Sequence, residues 1–167
     1  MHICICRHGE AQPYAVTGRD LDRPLSRKGQ VQARYLASLL SSGEAAPRVR
    51  RVLASPAART METAQAIADE LGLGITALSE LLPANSAGNA ISAIERYGED
   101  GAIVVVGHNP TMTATVSVLL HGPSAASAMV GPALKTGHMA VLDVSPNCLP
   151  GEGSLLGLHR YEPALTA

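Results

Sequence analysis

Aromatic side chains are nearly missing from this chain: it has four tyrosines, no phenylalanine and no tryptophan. A core must then be assembled from Ala, Val, Leu and Ile, and the scarcity argues against a single-stranded nucleic-acid platform, which stacks bases on rings. Cysteine is scarce too. The three present, Cys4, Cys6 and Cys148, form no framework, as expected of a protein of the reducing cytoplasm. Cys4 and Cys6 stand two apart on one strand and share a face. Burial as small hydrophobes accounts for them, whereas a metal pair needs further ligands at matching spacing. No apolar run reaches membrane-spanning length. No signal peptide is expected, because the charged Arg7 follows the first apolar stretch at once. A net charge of −1 leaves no global field to draw the chain to nucleic acid or an anionic membrane.

What is present is a globular composition, 46% apolar and 16% charged over 167 residues, expected to form one domain across 1–167. Eleven of the thirteen basic residues are arginine, whose planar fork matches phosphate bidentately. Codon bias in a GC-rich genome explains most of these arginines, so only those at special positions carry meaning.

Residues 2–6 (His-Ile-Cys-Ile-Cys) read as a short buried strand. Residues 11–25, with Pro13, Gly18 and Pro24, read as a loop. Ser26 caps a predicted helix running to about Leu40, with Val31, Tyr35, Leu36, Leu39 and Leu40 at helical spacing. A strand over 51–54 leads into a second helix, with Ser55 as cap and Pro56 at the first helical position, ending near Gly72. A weak strand over 75–78, a loop over 79–89 and a helix over 90–97 follow. Residues 102–106 (Ala-Ile-Val-Val-Val) have the unbroken apolar run of a central parallel strand. A helix over 111–120, a loop over 121–137 and a closing hairpin of strands 138–144 and 154–159 complete the chain. This order predicts a three-layer α/β/α fold with a mostly parallel central sheet and helices on both faces.

In such a sheet the carboxyl ends of parallel strands converge on one crevice, where ligands sit. Three junctions deliver basic residues there. The first strand ends in Arg7-His8-Gly9-Glu10, where Gly9 permits a sharp turn and close approach of a ligand. The second ends in Ser55-Pro56-Ala57-Ala58-Arg59, which puts Arg59 in the first turn of a helix. A cation there is locally unfavourable unless an anion offsets it. The third ends in Gly107-His108-Asn109-Pro110. Each segment alone fits a solvated strand end, a surface arginine or a core histidine. Three in one small sheet point to a site for a dianion such as a phosphoryl group.

Other phosphate chemistries lack their residues. There is no G-x-x-x-x-G-K-[ST] loop and no G-x-G-x-x-G. G-x-S-x-G is absent. Cys4 and Cys6 lie inside a strand rather than heading a phosphate loop. The acids near the junctions are too few for a two-metal centre. Histidine is the strong nucleophile that remains.

Arg7-His8-Gly9-Glu10-Ala11, Pro24-Leu25-Ser26 with Gly29 and Gln32-Ala33, Ser55-Pro56 with Arg59 and Thr63-Ala64, and Gly107-His108-Asn109 together resemble the histidine phosphatase superfamily, the phosphoglycerate mutase-like branch 1 enzymes. The short length, the alanine after Glu10 and Glu80-Leu81-Leu82-Pro83 are most similar to the SixA-type phosphohistidine phosphatases. The resemblance implies that His8 is the nucleophile and that Arg7, Arg59 and His108 hold the phosphoryl oxygens; two guanidinium groups and an imidazolium at His108 would stabilise the charge on them. No cofactor is expected, and no metal is required, because Arg7, Arg59 and His108 supply the positive charge. Glu80 is the candidate proton donor; a surface glutamate before a turn is an equal reading. Glu10 is a weaker candidate, since an ion pair with a nearby arginine would occupy it. His2, His121, His138 and His159 take the ordinary structural reading.

An N–P bond releases its leaving group with little help, whereas an alkoxide needs a general acid. With no large insertion to enclose a small molecule, the expected partner is a phosphorylated protein of the histidine phosphotransfer type. A small phosphoester handled by a phosphomonoesterase is the alternative, and a non-catalytic phosphate-binding module is a third reading.

Overall fold

The computed structural model describes residues 1–98 and 101–162. Along the chain run β1 (His2–Arg7), α1 (Arg27–Ser41), β2 (Val49–Ala54), α2 (Ala58–Leu71), β3 (Ile75–Ala77), α3 (Ala87–Tyr97), β4 (Ala102–Gly107), α4 (Thr111–His121), the short α5 (Ala125–Ala128), β5 (His138–Asp143) and β6 (Ser154–Arg160). The six strands form one sheet in the order β3-β2-β4-β1-β5-β6. β3, β2, β4 and β1 run parallel, and β5 and β6 close the sheet as an antiparallel hairpin.

Every residue of β4 is buried, as its unbroken apolar run demands of a strand covered on both faces. Its side chains alternate between two cores. Ile103 and Val105 join Ile3 and Ile5 under α3 and α4. Val104 and Val106 join Cys4 and Cys6 under Leu36 and Leu40 of α1 and Ala64 and Ile67 of α2. The two thiols are thus buried core atoms, and desolvation pushes Cys4 up to about 12.

The α/β architecture matches the sequence expectation; the helix starts differ in two places. Ser26 caps α1 by accepting from the Gly29 amide at 3.1 Å. Ser55, the expected cap of α2, does not cap it. That helix begins at Ala58 after an Ala57 cap with no side-chain bond, which frees the Ser55 hydroxyl for another partner. α3 starts three residues before its expected position of 90, capped by Ser86. The segments expected as loops over 11–25, 79–89 and 121–137 carry 3-10 turns at Asp20–Asp22 and Ser79–Leu81 and the helix α5.

The register sets the site. Arg7 stands opposite Gly107, and Ala54 opposite Val106. The His8 amide then reaches Gly107 O and the Ser55 amide reaches Val106 O, both at 3.1 Å. The three basic junctions therefore leave the sheet side by side at one level.

Candidate phosphate site

The turn after β1 is braced on every side. The Gly9 amide donates to Thr63 Oγ1 at 3.1 Å, and the Glu10 amide to Gln32 Oε1 at 2.8 Å. Gly137 N–H donates to His8 O at 2.9 Å. Gly9 also crosses the start of α1 so closely that a Cβ on it would lie 2.6 Å from Gly29 O. Only a glycine pair permits that crossing.

His8 is held with one nitrogen committed as a donor and the other as an acceptor. Nδ1 lies 2.6 Å from Gly9 O, and a carbonyl only accepts, so Nδ1 carries the proton. Nε2 receives Arg59 Nε at 3.3 Å, and a guanidinium only donates, so Nε2 presents its lone pair. Burial, followed by the charges of Arg59, Arg7 and Arg23 and opposed by the Gly9 bond, pushes His8 down to about 4. The ring is neutral at physiological pH.

His108 packs edge-on to His8, ring centroids 5.1 Å apart at 62°. Its Nε2 lies 2.9 Å from Ser55 Oγ, the hydroxyl that α2 left uncapped. Burial, then the proximity of His8 and Arg59, pushes it down to about 3. Desolvation and the neighbouring cations thus favour a neutral ring at His108 over the expected imidazolium. An entering dianion supplies the charge that favours its protonation.

Arg7 donates from Nη1 to Leu134 O at 3.1 Å, and its charge reaches both rings. Arg7 Nε and His108 Nδ1 are buried without a hydrogen-bond partner among the described residues. A buried unpaired donor costs about 1–3 kcal/mol. Unpaired polar atoms on two of the site's basic residues suit an anion with several acceptor oxygens.

The family description "Histidine phosphatase superfamily (branch 1)" matches residues 3–82. The fold is similar to the protein histidine phosphatase SixA complexed with tungstate, with a TM-score of 0.80, 25% identity and coverage of 96% of this chain and 97% of that one. It is also similar to SixA of Agrobacterium tumefaciens, with a TM-score of 0.73, 28% identity and coverage of 95% and 96%. The chain belongs to branch 1 of the histidine phosphatase superfamily. An uncharacterised protein of Picosynechococcus is 32% identical over 115 residues, 67% of this chain and 68% of that protein. No described helix is long and apolar enough to cross a membrane.

The two carboxylates singled out in the sequence of this histidine phosphatase are each held by a cation. Glu80, in the Ser79–Leu81 turn, accepts from Arg96 Nη2 of α3 at 2.6 Å. The Arg96 bond holds its carboxyl below the usual carboxylate range, the opposite of what a proton donor needs. Glu10 bonds Ser26 Oγ at 2.8 Å and Lys28 Nζ at 3.1 Å, a lysine and not an arginine. The acid that does touch the site is Asp20, which sequence reasoning missed. Its carbonyl accepts from Arg59 Nη1 at 2.7 Å, and its Oδ2 from Arg59 Nη2 at 3.0 Å. Its Oδ1 lies 3.2 Å from Arg23 Nε. The signal available in the sequence was only a carboxylate in a loop whose partner lies 39 residues away.

Proposed function

We propose that this phosphatase passes a phosphoryl group through Nε2 of His8 without a metal, and that its substrate is a phosphohistidine on another protein. The observation that carries the first part is the pair of hydrogen bonds fixing His8 as a neutral ring with an available Nε2 lone pair. A nucleophile must be unprotonated at the attacking atom, and burial among cations keeps it so.

The lone pair of Nε2 forms a bond to phosphorus while the substrate P–N bond breaks in line. That bond's electron pair leaves on the substrate imidazole nitrogen, which takes a proton from solvent. Water then adds to phosphorus, the His8 Nε2–P bond breaks, and its electrons return to Nε2 as inorganic phosphate departs. Arg7, Arg59 and His108 face the charge spread over the equatorial oxygens through both steps. Being fixed in place beforehand, they reorganise little as charge shifts.

The leaving group argues for phosphohistidine. Glu80 is committed to Arg96, and both oxygens of Asp20 face guanidinium groups. Glu80, held below the usual carboxylate range by Arg96, is a poor proton donor for an alkoxide, whereas an imidazole leaves without one. SixA, named as a protein histidine phosphatase, supports the same reading by likeness.

Parallel turnover of a phosphohistidine protein and a panel of phosphate monoesters, in excess EDTA, tests the proposal. Preference for the N–P substrate with full activity under chelation is expected. Loss of activity on chelation would contradict the metal-free mechanism, and better turnover of monoesters would favour a small-molecule phosphomonoesterase.

A further inference from the structure

Arg59 occupies the second position of α2, where the helix dipole disfavours a cation, and Arg7 and Arg23 add like charge nearby. An arginine so placed gains by swinging into water. Instead its side chain is only 5% exposed. The geometry points to Asp20 as the positioning residue that holds the Arg59 guanidinium against the nucleophile. This goes beyond the proposed function while resting on its assignment of Arg59 to the phosphoryl oxygens.

The guanidinium has five N–H donors arranged along its edges. Asp20 takes the end edge with two acceptors, its backbone carbonyl on Nη1 and its carboxylate on Nη2. The side edge is left facing His8, with Nε 3.3 Å from Nε2. A phosphoryl group on His8 would meet that side edge without displacing Asp20.

The bracket is itself stiff. Asp20 O also accepts from the Arg23 amide at 3.2 Å. Asp22 Oδ2 receives Thr17 Oγ1 at 2.6 Å and Arg19 Nε at 2.7 Å, tying the segment to itself. A carboxylate 64% exposed, paired with an exposed arginine, would contribute little. Here the partner is buried and touches the nucleophile, so the pair fixes an orientation.

A double-mutant cycle in the full chain distinguishes positioning from a role in folding the loop. The readouts are kcat/KM with phosphoramidate and p-nitrophenyl phosphate, and inhibition by tungstate. Asp20→Ala is expected to lower kcat/KM about tenfold on both substrates and to weaken tungstate inhibition by a similar factor. Asp20→Asn, which keeps an acceptor, should recover part of the loss. In an Arg59→Ala background, Asp20→Ala should change nothing further. An equal loss in both backgrounds, or tighter tungstate binding in Asp20→Ala, would overturn the inference, the latter by making Asp20 a competitor for the anion. Parent-level kcat/KM in the Arg59→Ala variant would sink it as well. Should Asp20→Ala fail to fold, the Asp20→Asn and Arg59→Ala cycle reads the same coupling. Phosphoenzyme labelling of the unmodified protein at His8 tests the underlying function separately, so the two failures are distinguishable.

Discussion

His8 and His108 leave parallel neighbouring strands at the same level, and both are buried neutral rings, yet their hydrogen bonds assign them different capacities. In His8, Nδ1 is spent on a backbone carbonyl and Nε2 shows its lone pair to Arg59. In His108, Nε2 is spent on Ser55 and Nδ1 is buried unpaired. In the proposed mechanism one ring attacks and the other holds. A bare strand-end histidine does not reveal which; the second nitrogen's partner does.

The largest effect that would break this contrast is loss of the attacking ring. His8→Ala should cut turnover at least about a thousandfold and abolish the phosphoenzyme, with the melting transition retained. Turnover comparable to the parent would mean that the two rings had been assigned the wrong way round. Next comes the holding side: His108→Ala should cost roughly a hundredfold while still yielding phosphoenzyme at His8, as expected for removal of one charge-stabilising donor.

The pH response sharpens the comparison. Both histidines titrate in the folded protein below their unfolded value of 6.5, near 4 and 3. Below 6.5 the unfolded chain therefore binds more protons than the folded one. The stability linked to these neutral rings is complete above about pH 6.5 and is lost as pH falls toward 4. Urea midpoints across pH 4–7 should decline in that window, less steeply in His8→Ala, and a flat profile would contradict the burial argument. Tungstate should raise the His108 midpoint by NMR titration, because a bound anion offsets the neighbouring cations that disfavour the charged ring.

Smaller effects follow. Ser55→Ala removes a single hydrogen bond to the holding ring and should lower kcat/KM several-fold, within the roughly 0.5–1.5 kcal/mol of such a bond. Glu80→Gln should leave N–P hydrolysis unchanged, since its carboxyl is bound to Arg96. A tenfold loss on phosphohistidine would restore Glu80 as a participant.

Legibility in the sequence tracked how locally each feature is encoded. The sheet was readable from β4 and β1, whose apolar runs have no helical alternative at that length. The junctions were readable because strand, glycine or proline, and helix follow within a few residues. Ser55 reads in the sequence as a polar cap ahead of α2, since its bond to His108 spans 53 positions. Arg23 and Asp20 sit in a segment without periodicity, so nothing local ties them to Arg59. Glu80 was legible only as an acid in a loop, and the Arg96 that engages it lies on another element.

The most direct measurement is rapid quench of the unmodified enzyme with a 32P-labelled phosphoryl donor, followed by mapping of the acid-labile label. The expected result is a burst of phosphate on Nε2 of His8 that decays at the rate of turnover. Label on another residue, or turnover with no labelled protein, would contradict the role given to that lone pair.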